Sequence, residues 1–269
     1  MSSVHTKATS FAKSRKVRSV AAICLILGFS YLIYFRYFGS LPQATIELFS
    51  NMPPPTQTDV IDVFAPHQDD ETLGVGGYIA SATESGAKVN IIFATDGNKR
   101  GLKQTRSSEA TKAGSILGVL SPDISFYNYP DSKLSKYSAQ LEKSINETLA
   151  QTKPTIIFVT DPFDDHPDHS QLGTAVINQA SSLSNVKIYS YLIHYKAFPR
   201  PQDYNINNAL LPPISLIDAD HKWLKYNLST GQIDQKNEAV LQYKSQLRTP
   251  FLHSLLMSFI RQNELFIQK

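Results

Sequence analysis

Five short apolar runs recur along the central part of the chain, and polar residues follow each of them. The runs predict strands over 60–65, 88–95, 124–129, 155–160 and 186–194. Apolar residues at helical spacing between the runs predict helices over 71–85, 105–118, 138–152 and 170–183. Strands that alternate with helices of this length are typical of βαβ units. We therefore expect an α/β fold with a Rossmann-like, doubly wound and mostly parallel sheet.

Helical spacing returns near the C-terminus, over residues 235–264. The apolar side chains of this stretch either pack on the sheet or contact a membrane or a partner, and we prefer core packing. They are Leu252, Leu255, Leu256, Phe259 and Ile260.

The N-terminal segment has a different pattern, because residues 19–35 contain no charged side chain and lie between Arg18 and Arg36. This length is at the short end for a membrane span and longer than the apolar region of a typical signal peptide. A cleaved signal peptide and a buried core helix are the alternatives. We predict an uncleaved transmembrane signal anchor over 19–36. The positive-inside rule then places the basic tail 1–18 in the cytoplasm and the catalytic domain outside it.

Prolines at positions 42 and 53–55 predict a tether over residues 37–58, followed by one folded domain over 59–269. The first 36 residues contain six basic residues and no acidic one, which leaves 20 basic and 23 acidic residues for the remainder. A slightly acidic body argues against nucleic-acid binding. The only cysteine, Cys24, lies in the apolar segment, so a metal in the domain must be held by histidine and carboxylate. The oligomeric state is left open.

Polar residues collect where the predicted strands end. His67, Asp69 and Asp70 follow the first strand, and the cluster 164–169 (DDHPDH) follows the fourth. The carboxyl ends of parallel strands converge on the crevice where open α/β sheets bind ligands. The two clusters are therefore expected to face each other across one site.

The residue types in these clusters favour a mononuclear metal hydrolase. His67 and Asp70 lie three residues apart at a strand-to-helix turn, and His169 completes a set of three ligands that suits Zn²⁺, with Fe²⁺ or Co²⁺ as alternatives. Asp69 is the candidate general base. His166, if protonated, stabilises an oxyanion or protonates the leaving amine, and Asp168 orients His166.

A structural alternative treats these residues as turn formers and helix caps, with His166 and His169 on the surface. Two such clusters at neighbouring strand ends make this interpretation less favourable than a metal site. The glycines of Gly74-Val75-Gly76-Gly77 do not fit a nucleotide-binding loop and lie within a predicted helix, so we expect them to allow close helix packing.

The two clusters resemble the motifs of the PIG-L/LmbE-like deacetylase family. The family motif A-H-P-D-D-E is matched by residues 66–71 (PHQDDE), and H-P-D-H is matched by residues 166–169. Weaker matches are Thr95-Asp96-Gly97, Arg106 with Glu109, and Pro130-Asp131. The resemblance covers about residues 60–195, and the C-terminal stretches 243–246 and 263–266 look like the tail of bacterial members.

This resemblance implies an LmbE-like fold and hydrolysis of an N-acetyl group from an N-acetylglucosamine-type substrate, linked to a glycan or a lipid. It implies His67, Asp70 and His169 as metal ligands, Asp69 as base, and His166 paired with Asp168. Gln68 stands where the family has proline, so we expect a changed turn or substrate contact without loss of the metal. The open alternatives are a metal amidase for another acylated substrate and a non-catalytic, membrane-tethered glycan-binding module.

Overall fold

The structure is a computed structural model that describes residues 2–269. Strands and helices alternate through its centre, as the apolar runs predict. The α-helices of residues 2–269 are α1 (Ser2–Phe38), α2 (Asp70–Glu84), α3 (Lys103–Ile116), α4 (Ser138–Thr152), α5 (Pro167–Ala180), α6 (Thr230–Val240), α7 (Lys244–Leu247) and α8 (Pro250–Met257). The strands are β1 (Ser50–Asn51), β2 (Val60–Ala65), β3 (Lys88–Thr95), β4 (Ile124–Tyr129), β5 (Ile156–Thr160), β6 (Lys187–Tyr191), β7 (Lys222–Asn227) and β8 (Asn263–Gln268).

The eight strands form one sheet in the order β1-β7-β8-β6-β5-β2-β3-β4. All pairs are parallel except those of β8, which is antiparallel to both β6 and β7. The predicted doubly wound, mostly parallel sheet is therefore confirmed. The chain leaves β2 towards β3 on one side and reaches β5 on the other, so the strand order reverses between β2 and β5. A crevice forms outside the carboxyl ends of strands at such a switch point.

The sheet is buried on both faces because successive side chains of each strand point to opposite sides. Val63 of β2 packs into a core that α2, α6 and α8 also line, while Phe64 packs into a second core with α4 and α5. Both side chains are fully buried. The two cores hold β2 and β5 in place on both faces of the sheet. The turns that follow these strands therefore start from fixed positions.

The glycines of α2 allow close packing of helix against sheet, as the sequence predicts. A Cβ atom on Gly74 would lie 2.2 Å from the ring of Tyr191, and one on Gly77 would lie 2.4 Å from Leu228. Glu264 of β8 accepts hydrogen bonds from the Gly77 and Tyr78 N–H groups at 2.7 and 2.9 Å. The motif therefore brings α2 against the C-terminal part of the sheet.

The C-terminal stretch 235–264 differs from the predicted helix. It contains the end of α6, the two short helices α7 and α8, and the start of strand β8. The predicted core packing is confirmed for Leu255, Leu256, Phe259 and Ile260, which are all buried, while Leu252 is partly buried. Strand β7, over residues 222–227, was not predicted.

Helix α1 contains the segment Val17–Arg36, whose mean hydropathy of 1.8 and length of 20 residues are sufficient to span a membrane. None of this segment is buried against the domain. Part of the predicted tether 37–58, in contrast, is packed on the domain. Ile46 and Met52 are buried, and β1 pairs with β7, because apolar side chains interrupt the proline-rich composition of this stretch.

Candidate active site

The first and second polar clusters meet at the switch point between β2 and β5. The Nδ1 atom of His67 lies 3.2 Å from the Nε2 atom of His169 and 3.3 Å from Oδ2 of Asp70. The Nε2 atom of His169 lies 3.2 Å from Oδ2 of Asp70, so these three donor atoms form a triangle. All three residues are at least nine-tenths buried. The structure therefore brings together the three residues that the sequence predicts as ligands, with one donor atom of each within 3.3 Å of the other two.

The size of this triangle fits a small tetrahedral ion. Zinc bonds to imidazole nitrogen and carboxylate oxygen of about 2.0–2.1 Å place neighbouring donor atoms about 3.3–3.4 Å apart. The three sides measured between His67, Asp70 and His169 are 3.2–3.3 Å. Two imidazoles and one carboxylate are also a ligand set that zinc, Fe²⁺ and Co²⁺ accept. The residues thus fit the metal that the sequence motifs imply.

A carboxylate lies beside the outer nitrogen of each histidine. His67 Nε2 lies 3.2 Å from Oδ2 of Asp168, and His169 Nδ1 lies 3.3 Å from Oδ2 of Asp164. A proton on His67 Nε2 leaves its Nδ1 lone pair free to bind a metal, which is how carboxylates orient ligating histidines. Asp164 also accepts hydrogen bonds from the Ile193 and His194 N–H groups, each at 2.9 Å.

The position of Asp168 differs from the predicted role. Its carboxylate was expected to orient His166, but it accepts hydrogen bonds from the Ser132 and Leu134 N–H groups at 2.7 and 3.0 Å and contacts His67. The reason is the start of α5, where the Asp168 side chain points towards the loop after β4. Only the backbone N–H of Asp168 reaches His166, where Nδ1 accepts it at 3.2 Å.

Asp69 sits beside the triangle in a strained backbone conformation. Its φ of 139° lies in the region that L-residues rarely adopt, and strain of this kind is concentrated at functional sites. Its Oδ1 accepts a hydrogen bond from Nη2 of Arg106 at 3.1 Å. Burial raises the pKa of Asp69 to about 7, although the Arg106 guanidinium opposes the rise. A carboxylate with such a pKa is suited to accept a proton near neutral pH.

His166 is the N-cap residue of α5, a role that the sequence did not assign to it. Its ring lies 4.8 Å from that of His67 and 4.9 Å from that of His169, between ring centres. Burial and these two neighbouring imidazoles lower the pKa of His166 to about 4. His166 is therefore neutral near pH 7, whereas the role expected from the sequence depended on a protonated ring. Its Nδ1 accepts a hydrogen bond, so Nε2 carries the proton.

Several supporting residues were not assigned a role from the sequence. Glu71 is fully buried, accepts a short hydrogen bond from the Tyr243 hydroxyl, and accepts another from the Asp69 N–H at 3.2 Å. Arg106 also donates to the Gln68 carbonyl at 2.6 Å. Glu109 binds the N–H and hydroxyl of Ser245 at 2.8 and 2.6 Å. In the sequence, only the weaker family matches in α3 and at 243–246 pointed to these residues. Their contacts connect the C-terminal region to the turn that carries Asp69.

Gln68 stands where the family has proline, and its side chain bonds to the end of β3. Its side chain is fully buried, and its Nε2 donates to the Thr95 carbonyl at 2.9 Å. The Oε1 atom fits only because residue 97 is glycine, since a Cβ there would lie 2.1 Å away. The side chain therefore stabilises the turn after β2 and does not line the cleft, which excludes the predicted substrate contact.

The site opens into a cleft with a volume of about 280 Å³. His67, Asp69, Asp70 and His166 line it together with His194, whose ring centre lies 5.0 Å from that of His169. A single histidine that follows a strand beside two tyrosines is more often a packed residue, but the structure places His194 at the cleft. Donor atoms of His194, Asp70 and His169 also lie close enough together to share a metal.

Comparison with known proteins agrees with this architecture. Residues 63–180 match the sequence model of the PIG-L family, described as GlcNAc-PI de-N-acetylase. The diacetylchitobiose deacetylase of Thermococcus kodakarensis is 28% identical over 164 residues, which cover 55% of this chain and 60% of that protein. A probable N-acetyl-alpha-D-glucosaminyl L-malate deacetylase of Bacillus anthracis is 26% identical over 142 residues, or 48% of this chain and 62% of that protein.

The chain thus spans about three-fifths of the length of these curated relatives. Among solved structures, the N,N'-diacetylchitobiose deacetylase of Pyrococcus horikoshii superposes with a TM-score of 0.61 and 19% identity, over 89% of this chain and 92% of that one. This similarity shows the fold alone. Together with the match over 63–180, it confirms the resemblance to the PIG-L/LmbE-like family.

Proposed function

We propose that this chain, which carries a PIG-L family domain over residues 63–180, is a metal-dependent deacetylase of an N-acetylglucosamine-type substrate. The observation that carries the proposal is the triangle of donor atoms from His67, Asp70 and His169, with the strained Asp69 beside it at an open cleft. The curated relatives are named as deacetylases of acetylated sugars, which supports the same reaction class.

His67, Asp70 and His169 would hold the metal, for which we propose Zn²⁺, with Fe²⁺ or Co²⁺ as alternatives. A metal ion bound there lowers the pKa of water and polarises a carbonyl group. Asp168 and Asp164 keep the two histidines in the orientation that exposes their ligating nitrogens. The protein thus supplies a preorganised ligand set before any substrate arrives.

Asp69 accepts the proton of the water that attacks the acetamide carbonyl carbon. The C–N bond then breaks, the nitrogen gains a proton, and acetate and a free amine are the products. Asp69 returns the proton to the departing nitrogen, since it is held at the cleft with a pKa near neutrality. Neutral His166 donates its Nε2–H to the oxygen that becomes negative in the tetrahedral intermediate.

Acetate release tests the proposal. Zinc-loaded protein is incubated with N-acetylglucosamine, its methyl glycoside and N,N'-diacetylchitobiose, and acetate is measured. Asp69→Asn keeps the size of the side chain but removes the base, so we expect a loss of about 10²–10⁴-fold. Asp165→Asn is the matched control, because Asp165 lies in the second cluster but contacts Lys196.

Two alternatives predict different results. A metal amidase for another acylated substrate would release the acyl group from a non-sugar amide and leave the acetamido sugars intact. A glycan-binding module without catalysis would bind sugars but release no acetate, with wild-type protein and Asp69→Asn behaving alike. Loss of acetate release in Asp69→Asn alone, with Asp165→Asn unchanged, supports the deacetylase.

We also propose that helix α1 is a single-pass anchor that leaves residues 1–18 in the cytoplasm and the catalytic domain on the other side. The support is the length and hydropathy of Val17–Arg36 together with the basic residues that precede it. Protease added to intact cells should digest the domain and spare a tag on residue 1. A domain that stays in the culture medium after removal of the cells would instead indicate a cleaved signal peptide.

A further inference from the structure

One imidazole at the cleft has no part in the reaction proposed above. His194 lines the cleft with His67, Asp70 and His166. It is partly buried, and its ring centre lies 5.0 Å from that of His169 and 5.7 Å from that of His166. The residue follows strand β6 and lies outside the stretch 63–180 that matches the family. The family match therefore does not account for this histidine.

The loop after β5 fixes the backbone of His194 and the ring of His169 together. Oδ2 of Asp164 accepts hydrogen bonds from the N–H groups of Ile193 and His194, each at 2.9 Å. The same oxygen lies 3.3 Å from Nδ1 of His169. The Asp165 N–H also donates to the His194 carbonyl group at 2.5 Å. One carboxylate therefore keeps the two imidazoles beside each other at the cleft.

The His194 side chain, unlike its backbone, makes no hydrogen bond to the part of the chain that the structure describes. A donor atom of its ring lies within 4.8 Å of donor atoms of Asp70 and His169, two of the three residues proposed to hold the metal. Packed polar groups usually have hydrogen-bond partners, whereas a metal ligand needs a free lone pair on one ring nitrogen. An imidazole without such partners beside a metal-binding set is therefore suited to ligation.

We propose that His194 is a fourth protein ligand of the metal that His67, Asp70 and His169 hold. The inference rests on the proposed function, because it assigns His194 to the same metal. Zinc sites with three protein ligands keep a position open for water, whereas sites with four protein ligands are closed. Three imidazoles and one carboxylate complete a tetrahedral set, so His194 should strengthen metal binding. Water then enters by expansion to five ligands or by release of His194.

Metal binding in the absence of substrate tests the inference. The full-length chain in detergent is freed of metal, and competition with a chromogenic chelator measures its zinc affinity. The visible absorption spectrum of the Co²⁺-loaded protein reports the number and type of ligands. Urea unfolding of the metal-free protein checks that each variant is folded.

Two variants separate ligation from packing. His194→Ala removes the ring, and His194→Phe keeps a planar ring but offers no nitrogen. Both should bind zinc about 100-fold more weakly than the wild type, because one of four ligand bonds is lost. Both should also change the Co²⁺ spectrum in the same way. His253→Ala is the matched control, since His253 is exposed on α8 and does not line the cleft, and it should leave affinity and spectrum unchanged.

Wild-type zinc affinity and an unchanged Co²⁺ spectrum in both His194 variants would overturn the inference. A raised KM for acetamido sugars together with that result would make His194 a substrate contact and not a ligand. A loss of zinc affinity in His194→Ala that His194→Phe restores would assign the residue to packing, which also contradicts ligation.

The outcomes also separate this inference from the proposed function. Acetate release by zinc-loaded wild-type protein, with metal binding that does not depend on His194, would keep the deacetylase and remove the fourth ligand. Metal binding that depends on His194, without acetate release from any acetamido sugar, would keep the fourth ligand and remove the deacetylase.

Discussion

The Asp168 carboxylate contacts the outer nitrogen of His67, Nε2, at 3.2 Å, across 101 positions of sequence. The same imidazole directs its other nitrogen, Nδ1, at Asp70 and His169. Asp168 is itself fixed by the N–H groups of Ser132 and Leu134. The loop after β4 therefore fixes the carboxylate that contacts His67, the proposed metal ligand at the end of β2.

Asp168→Ala should weaken zinc binding by about 10–100-fold, because His67 loses the group that fixes its proton on Nε2. Asp168→Asn should have a smaller effect, since its amide oxygen can still accept from the same backbone groups. Competition with a chromogenic chelator measures the affinity. If Asp168→Ala binds zinc as tightly as the wild type, Asp168 does not position His67.

Arg106→Met should move the acidic limb of the pH–activity profile to higher pH. Burial raises the pKa of Asp69 and the Arg106 guanidinium lowers it, so removal of the guanidinium raises it further. A base with a higher pKa is ionised only at higher pH. Lys99→Met is the control, since it removes another positive charge from the cleft without a contact to Asp69. An equal shift in both variants would assign the effect to net charge.

Asp62 makes the stability of the domain depend on pH at a site far from the cleft. Burial raises the pKa of Asp62 to about 6, although hydrogen bonds from Thr152 and Asn90 at 2.6 and 2.7 Å oppose the rise. Between pH of about 4 and 6 the folded state holds this proton and the unfolded chain does not. The free energy of unfolding therefore falls as pH rises through this window, by about 3 kcal/mol.

Asp62→Asn should remove this contribution, so its unfolding free energy should vary less between pH 4 and 6 than that of the wild type. Urea unfolding at several pH values measures the difference. Asp123→Asn, at a partly exposed position paired with Lys88, should keep the wild-type dependence. A wild-type slope in Asp62→Asn would contradict the assignment.

Gly74→Ala should destabilise the domain by about 1–3 kcal/mol, because the new Cβ would meet the Tyr191 ring at 2.2 Å in a packed core. Gly231→Ala in α6 should instead be stabilising by up to about 1 kcal/mol, since no atom lies within 4 Å of its Cβ position and alanine favours helix. Urea unfolding compares the two. Equal effects would show that the helix propensity of alanine, and not the contact with β6, determines the result.

The sequence predicts the centre of the sheet because each strand is a short apolar run that ends at polar residues. It fails at the C-terminus, where Leu265, Phe266 and Ile267 of β8 form an apolar run too short to distinguish from a helical turn. Only pairing with β6 and β7, which are distant in sequence, makes this run a strand.

The proximity of His67, Asp70 and His169 could be predicted because spacing and strand ends constrain where these residues lie. The contact between Asp168 and His67 could not be predicted, because adjacent residues at the start of a helix point in different directions and His67 is distant in sequence. The protonation state of His166 could not be predicted either, because its pKa depends on burial and on the two imidazoles that folding places beside it. These are properties of tertiary contact and not of local pattern.

The most direct test is a zinc titration of metal-free protein with acetate release from N-acetylglucosamine as the readout. We predict that activity rises in proportion to added zinc and stops rising at about one equivalent per chain, and that His169→Ala shows no such rise. Acetate release that is the same with and without zinc, or no release at any zinc level from any acetamido sugar, would contradict it.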